Sequence, residues 1–281
     1  MPKYVVVTTF NAKGYDQYAQ KFLKTFINHW PKEIIINIYT EECVIYEVAP
    51  NFKVYDLHKV SSDIVKFKEK WRNDPKANGD VRNDPIRSRR KDAGKGFKWD
   101  AIRFCHKVYS IFHCAATTDA EILIWMDADM ICHSPISLDT INSLIPKHKD
   151  LCYLGRDGKY PECGLYSLNL SHNLVKLFLK EFKRMYDEAE NGIFQLDEWH
   201  DSFVFEEVRK KFPNLELLNW SKELTDIKPN KFNSQGEGHP LINTQWGAYL
   251  DHLKGSRKIS GKSNLLDLKV QRKELYWTNN V

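Results

Sequence analysis

Residues 4–10, YVVVTTF, form an unbroken apolar and β-branched run that predicts a strand buried on both faces. The spacing then changes. Tyr15, Tyr18, Phe22, Phe26 and Trp30 recur every three or four positions and predict a helix from Gly14 to Trp30. EIIINIYT at 33–40 and FKVYDL at 52–57 read as second and third strands. A helix from Phe97 to Ala116, with Ile102, Cys105, Tyr109 and Phe112 on one face, leads into a fourth strand at 122–126. Apolar strands that alternate with helices predict an α/β fold with a mostly parallel central sheet and helices on both faces. Such sheets bind ligands beyond the carboxyl ends of their strands, where the strand order reverses. Thr8, Thr9, Phe10 and Asn11 close the first strand, and Asp127 and Asp129 close the fourth, so both groups are expected to open onto one crevice.

Composition narrows the class. A chain of 281 residues with 42% hydrophobic positions can bury one large core or two coupled halves. No apolar run approaches the roughly 18 residues that span a bilayer, and MPKYVVVTTF lacks the layout of a secretory leader. The expectation is a soluble, cytoplasmic protein without a transmembrane segment. Six cysteines without a CxxC pair, mostly in apolar segments, fit reduced thiols. The formal net charge is +5, and residues 72–97 hold eight basic residues against four aspartates, a local +4. Two Asp-Pro steps and three glycines predict a long loop there. It reads either as a solvated surface loop or as a flap that meets an anion, a diphosphate or a polyanionic acceptor such as nucleic acid.

The segment EILIWMDADMICHSPI, 121–136, carries the candidate chemistry. Side chains two apart on an extended chain point the same way, so Asp127 and Asp129 can aim at one point. Two such carboxylates repel unless a cation sits between them, and oxygen ligands at a half-open site suit manganese or magnesium. A turn or helix cap is the plainer reading of a D-x-D taken alone.

The order of N-terminal strand, helix, apolar strand, D-A-D and SPI resembles the GT-A glycosyltransferases. DHLKGSRK at 251–258 contains the H-x-x-G-x-x-K pattern of their glycogenin-like, retaining branch. The resemblance implies a Rossmann-like GT-A fold with a nucleotide-sugar-binding half at 1–150 and a donor-sugar and acceptor half, of mixed strand direction, at 151–281. It implies Mn2+ (or Mg2+) on Asp127, Asp129 and His252, with Lys258 gripping the diphosphate and Gly255 allowing close backbone approach. Thr8, Thr9, Asn11, Lys98, Arg103 and Asp127 would serve the nucleotide sugar, and Gly164 in PECGLYSLNL would line the donor sugar. In LDEWHDSF, Asp201 would be the acid against the sugar ring, with Asp197 as second candidate; helix capping is the competing reading for both. Trp199 and His200 are candidates to stack on an acceptor, and His239 in GEGHPLIN rivals His252 as ligand. The chain departs from the branch at Glu162 and Cys163, where asparagine and serine are usual, at Leu253 in place of phenylalanine, and at Ile-Ser-Gly after Lys258 in place of Pro-Trp.

The activity so implied is metal-dependent transfer of a sugar from a nucleoside diphosphate sugar, UDP-linked, to a hydroxyl of a glycan, a protein or nucleic acid. Two other classes compete. A haloacid-dehalogenase-type phosphatase also ends a strand in D-x-D, but on its first strand and with a downstream Asp-Asp pair that this chain lacks. A nonenzymatic nucleic-acid binder would use the basic loop and leave the paired aspartates without a role.

Overall fold

The protein, described by a computed structural model over residues 3–156, 158–223 and 239–279, has a mixed α/β architecture. Its strands are β1 (Tyr4–Asn11), β2 (Ile35–Glu41), β3 (Phe52–Asp56), β4 (Ile122–Met126), β5 (Met130–Cys132), β6 (Leu151–Arg156), β7 (Lys159–Asn169), β8 (Leu217–Asn219) and β9 (Leu250–His252). Seven of them form one sheet in the order β3-β2-β1-β4-β7-β6-β8. The β3-β2-β1-β4 half is parallel, β7 is antiparallel to both β4 and β6, and β8 is parallel to β6. The sheet is thus mostly parallel and Rossmann-like, and it runs without a break across residue 150.

The unbroken apolar strands are explained by two cores, one on each face. Val5 and Val7 of β1 and Leu123 and Trp125 of β4 enter one core, while Tyr4, Val6, Ile122, Ile124 and Met126 enter the other. The first core is covered by α2 (Ser62–Trp71), α3 (Ala101–Thr117), α4 (Asn173–Asp187) and α5 (Asp201–Lys210), through Phe67, Phe112, Phe182 and Phe205. The second is covered by α1 (Gln20–His29), through Phe22 and Phe26. The chain enters α1 through a short turn, Ala12–Gly14, and a π-helical turn, Tyr15–Ala19. Asn11 caps that entry by accepting from the Gly14 N–H at 2.8 Å. Likewise α3 starts at Ala101 and not at Phe97, because the Asp100 carboxylate accepts from the Arg103 N–H at 2.9 Å and caps the helix there.

Residues 72–97 form a loop with short 3-10 turns and no longer element. Much of its charge is paired within the loop, Arg82 with Asp80 at 2.7 Å, Arg87 with Asp84 at 2.5 Å and Arg90 with Asp92 at 3.0 Å. Arg87 also lies 4.0 Å over the Trp199 ring, which pins the loop to the body. All six cysteines are free, five of them buried. Among the described residues no helix is long and apolar enough to cross a membrane.

Outside the main sheet, β5 and β9 form an antiparallel pair in which Met130 faces His252 and Ile131 faces Asp251. This small ladder places the C-terminal histidine beside the D-A-D segment.

Candidate active site

The chain turns immediately after β4. Met130 N–H returns to the Asp127 carbonyl at 3.2 Å, Asp127 N–H donates to Gly164 of β7 at 2.9 Å, and Asp129 C=O accepts from Leu253 at 2.8 Å. The two aspartates therefore converge because a turn is pinned between β7 and β9, and not because they alternate along an extended strand. Each acid divides its oxygens. Asp127 Oδ1 accepts from Lys107 Nζ at 3.0 Å and Trp125 Nε1 at 2.7 Å, while its Oδ2 lies 3.6 Å from His252 Nε2. Asp129 Oδ2 meets Lys258 Nζ at 2.9 Å, and its Oδ1 lies 3.0 Å from the same imidazole nitrogen.

A ligand atom from each of Asp127, Asp129 and His252 thus lies within 4.8 Å of the others. Neighbouring ligands of an octahedral ion with bonds of about 2.1 Å are separated by about 3 Å, so two carboxylates and an imidazole at this spacing suit Mn2+ or Mg2+. Electrostatics point the same way. Burial alone would raise the Asp129 carboxyl, but His252 and Lys258 outweigh it and hold the group below the usual carboxylate range. Burial would lower His252; Asp129, Glu162 and Asp127 outweigh that and lift it above its ordinary value. The acids attract positive charge strongly enough to make a buried imidazole basic.

Around this centre lies a two-lobed crevice at the carboxyl ends of the parallel strands. One lobe, about 700 Å³, includes Thr9, Asn11, Tyr18 and Glu41; the other, about 480 Å³, includes Glu162, Gly164, Asp201 and His252. Arg103, Lys107, Asp127, Asp129 and Lys258 line both. Lys258 Nζ also sits 4.4 Å over the Tyr18 ring. Burial, with help from Asp129 and Asp127, pushes the Tyr18 hydroxyl up to about 12, so it stays a neutral donor.

Three residues to which the sequence patterns assigned no role hold the site together. Lys107 of α3 is buried and bridges Asp127 (3.0 Å) and Asp201 (2.7 Å) while donating to the Cys163 carbonyl. Burial pulls its ammonium down, yet Asp127 and Asp201 carry it well above the usual lysine value. The available signal was a lysine inside the otherwise apolar helical run CHKVYSIF, where only a paired charge is tolerable. Glu162 is buried behind His252, its Oε1 3.7 Å from Nδ1, and takes a two-pronged bond from Lys254 at 2.9 and 2.7 Å.

The other candidates divide as follows. A Cβ on Gly164 would stand 2.4 Å from His252 Cε1, so the ring packed on this glycine is that of His252. Gly255 lines the second lobe with φ +64, a left-handed turn that suits glycine. His239 does not reach the acids. Its Nε2 lies 3.2 Å from the His252 carbonyl, and burial together with the neighbouring His252 charge pushes it down to about 4. Thr9 lines the first lobe, whereas Thr8 is fully buried beneath it. Lys98 faces away, paired with Glu198 at 2.5 Å and Asp92 at 2.9 Å. Asp201, in the first turn of α5, points into the second lobe; Asp197 is exposed and lines neither lobe, its carbonyl accepting from Trp99 Nε1. Trp199 is fully buried, and His200 is held by Glu198 at 2.9 Å.

No protein-family model matches the chain. A curated relative, the B beta isoform of the 55 kDa regulatory component of serine/threonine protein phosphatase 2A from Arabidopsis thaliana, is 24% identical over 169 residues, covering 51% of this chain and 34% of that protein. Similar solved structures include the apo-form glycosyltransferase GlyE of Streptococcus pneumoniae TIGR4, at 10% identity and TM-score 0.43 over 78% of this chain and 46% of that one. Another is the bifunctional glycosyltransferase WbbM, at 11% identity and TM-score 0.42 over 78% and 38%. The chain thus spans less than half the length of each of these proteins.

Proposed function

We propose that this chain is a metal-dependent glycosyltransferase of the GT-A kind that moves a sugar from a UDP-linked donor to an acceptor hydroxyl, with retention at the anomeric carbon. The observation that carries this reading is the meeting of Asp127, Asp129 and His252 at 3.0 and 3.6 Å, with Lys258 on the same acid, in the mouth of a crevice at the strand ends. Asp127, Asp129 and His252 would hold Mn2+ or Mg2+, which when bound neutralises the donor diphosphate and eases its departure.

The chain's own residues supply the rest. The nucleoside lies in the lobe beside Thr9, Asn11 and Tyr18, and the sugar lies in the lobe beside Gly164 and Asp201. Lys258 places a point charge where negative charge grows on the leaving diphosphate, and Arg103, at the junction of the lobes, adds a second. Asp201, held in place by Lys107 at 2.7 Å, faces the sugar lobe and can stabilise the positive charge that develops on the sugar ring. Glu162 stands behind His252 at 3.7 Å, beyond hydrogen-bond reach of Nδ1, and places a negative charge at the back of the imidazole.

The test is a thermal-shift comparison of UDP, GDP, CMP and TDP, each with and without manganese. UDP with manganese at a hundred times its dissociation constant should stabilise the fold by about 2.7 kcal/mol. That corresponds to a rise of roughly 5 °C or more in Tm for a chain of this size. Equal shifts with and without metal, or none with any nucleotide, would overturn the reading.

A further inference from the structure

We propose that the acceptor is an anionic saccharide whose ring stacks on Phe97 and Tyr160 and whose phosphate or carboxylate is held by Arg156 and Lys159. The proposal rests on the glycosyl-transfer reading and adds the substrate class. A third cavity, about 810 Å³, adjoins the sugar lobe and shares Phe97, Arg156, Lys159 and Tyr160 with it. A saccharide can therefore run from the acid-imidazole centre to the surface past these four side chains.

Phe97 is 43% exposed, unusual for a large aromatic ring at the edge of a cavity. Its ring lies 5.9 Å from His200, and the Tyr160 ring meets His200 edge-on at 4.5 Å. The apolar C–H face of a pyranose is the natural cover for such rings, since its hydroxyls remain free to reach the polar rim. Cations crowd the same place. The Arg156 guanidinium is 5.1 Å and the Lys159 ammonium 5.4 Å from the Tyr160 centroid, and Lys95 lines the cavity too.

The carboxylates that line this cavity are each paired with a cation other than Arg156. Glu198 is paired with Lys98 at 2.5 Å, Glu206 with Arg209 at 2.7 Å and Glu207 with Lys210 at 2.7 Å. Arg156 donates to the carbonyls of Tyr160 and Pro161, and among the described residues no carboxylate forms an ion pair with it. Burial and the positive charges of Arg156, Lys95, Lys254 and Lys98 together depress the Lys159 ammonium, the sign of a local field that favours an anion. Lys258 and the acid-imidazole centre line the two lobes and not this third cavity, so its cations form a group apart from those proposed for the donor diphosphate. A nucleic-acid strand fits less well, because the arginines of the 72–97 loop that would track its backbone are largely paired with the loop's own aspartates.

Titration calorimetry on the full chain with UDP and manganese present tests this with three probes: methyl β-D-glucoside, methyl β-D-glucuronide and glucose 6-phosphate. At least one anionic sugar should bind about tenfold more tightly than the neutral one, and the tighter of the two identifies carboxylate or phosphate as the group read. Arg156→Gln and Lys159→Gln should each remove most of that preference while UDP affinity is unchanged. Lys159→Gln stands independently if loss of the Arg156 carbonyl bonds unsettles the hairpin. Equal affinity for the three probes, binding of none, or tighter capture of a single-stranded DNA 20-mer would overturn the proposal. Failure of UDP to bind the unaltered chain would instead strike at the glycosyl-transfer reading beneath it.

Discussion

His252 carries more of the site than any other single side chain. It is 1% exposed, faces both aspartates through Nε2 and turns Nδ1 toward Glu162. Asp129→Ala and His252→Ala should each lower manganese-dependent release of UDP from a UDP-sugar by about a hundredfold or more while leaving the circular dichroism spectrum intact. Gly164→Ala tests the same geometry from the opposite side. Its Cβ would stand within 2.4 Å of the imidazole, so the ring must move away from the acids. The expected loss is about 10- to 100-fold in manganese affinity, measured by calorimetry, the range seen when support behind a metal ligand fails. Lys107→Met is a different kind of lesion, for it leaves the buried Asp201 and the half-buried Asp127 without their shared ammonium. It should cost about 3–5 kcal/mol in a denaturant titration. A loss under 1 kcal/mol would mean that water already screens the pair.

At the scale of elements, the β5–β9 ladder decides where the site is. Its three-residue strands are too short to be stable alone and need a clamp. Asp251 provides it on the face opposite His252, accepting from the Ser263 N–H at 2.7 Å, the Ser263 hydroxyl at 2.5 Å and the Tyr276 hydroxyl at 2.7 Å. The C-terminal segment is thereby tied to the strand that presents the imidazole. Asp251→Ala should destabilise by about 2–4 kcal/mol, since buried donors lose their acceptor, and should weaken manganese binding although the residue touches no ligand atom. Unchanged calorimetry with a lowered Tm would show that β9 keeps its place without the clamp.

For the molecule as a whole, acid sensitivity follows from imidazoles buried in neutral form. His133 is stacked on Tyr276 with centroids 4.1 Å apart, and its Nε2 has no hydrogen-bond partner among the described residues. Burial pushes it from its ordinary 6.5 down to about 4. The unfolded chain therefore binds a proton in the window from about 6.5 to 4 that the native fold rejects. His133 contributes full stability above pH 6.5, and that contribution is lost as pH falls toward 4. His133→Phe, which keeps the stacking and removes the titrating nitrogen, should flatten the slope of Tm against pH in this window. An unaltered slope would assign the sensitivity to other groups.

Local patterns, taken from the residues themselves, left the helix Ser62–Trp71, α2, unread but determined strands β1 to β4, helices α1 and α3, the parallel sheet with two covered faces, and the place of Asp127 and Asp129 at its open end. Each depends on interactions a few positions apart, so spacing and side-chain type suffice. The pairing of His252 with those acids was legible only by resemblance to a known pattern. In physical terms it depends on Met130 facing His252 across a ladder that joins segments far apart in the chain. The roles of Lys107, Glu162 and Gly164 belong to the tertiary structure alone. A buried charge is tolerated only where packing brings its partner, and a glycine is required only where another residue's ring arrives; neither condition is written in neighbouring residues.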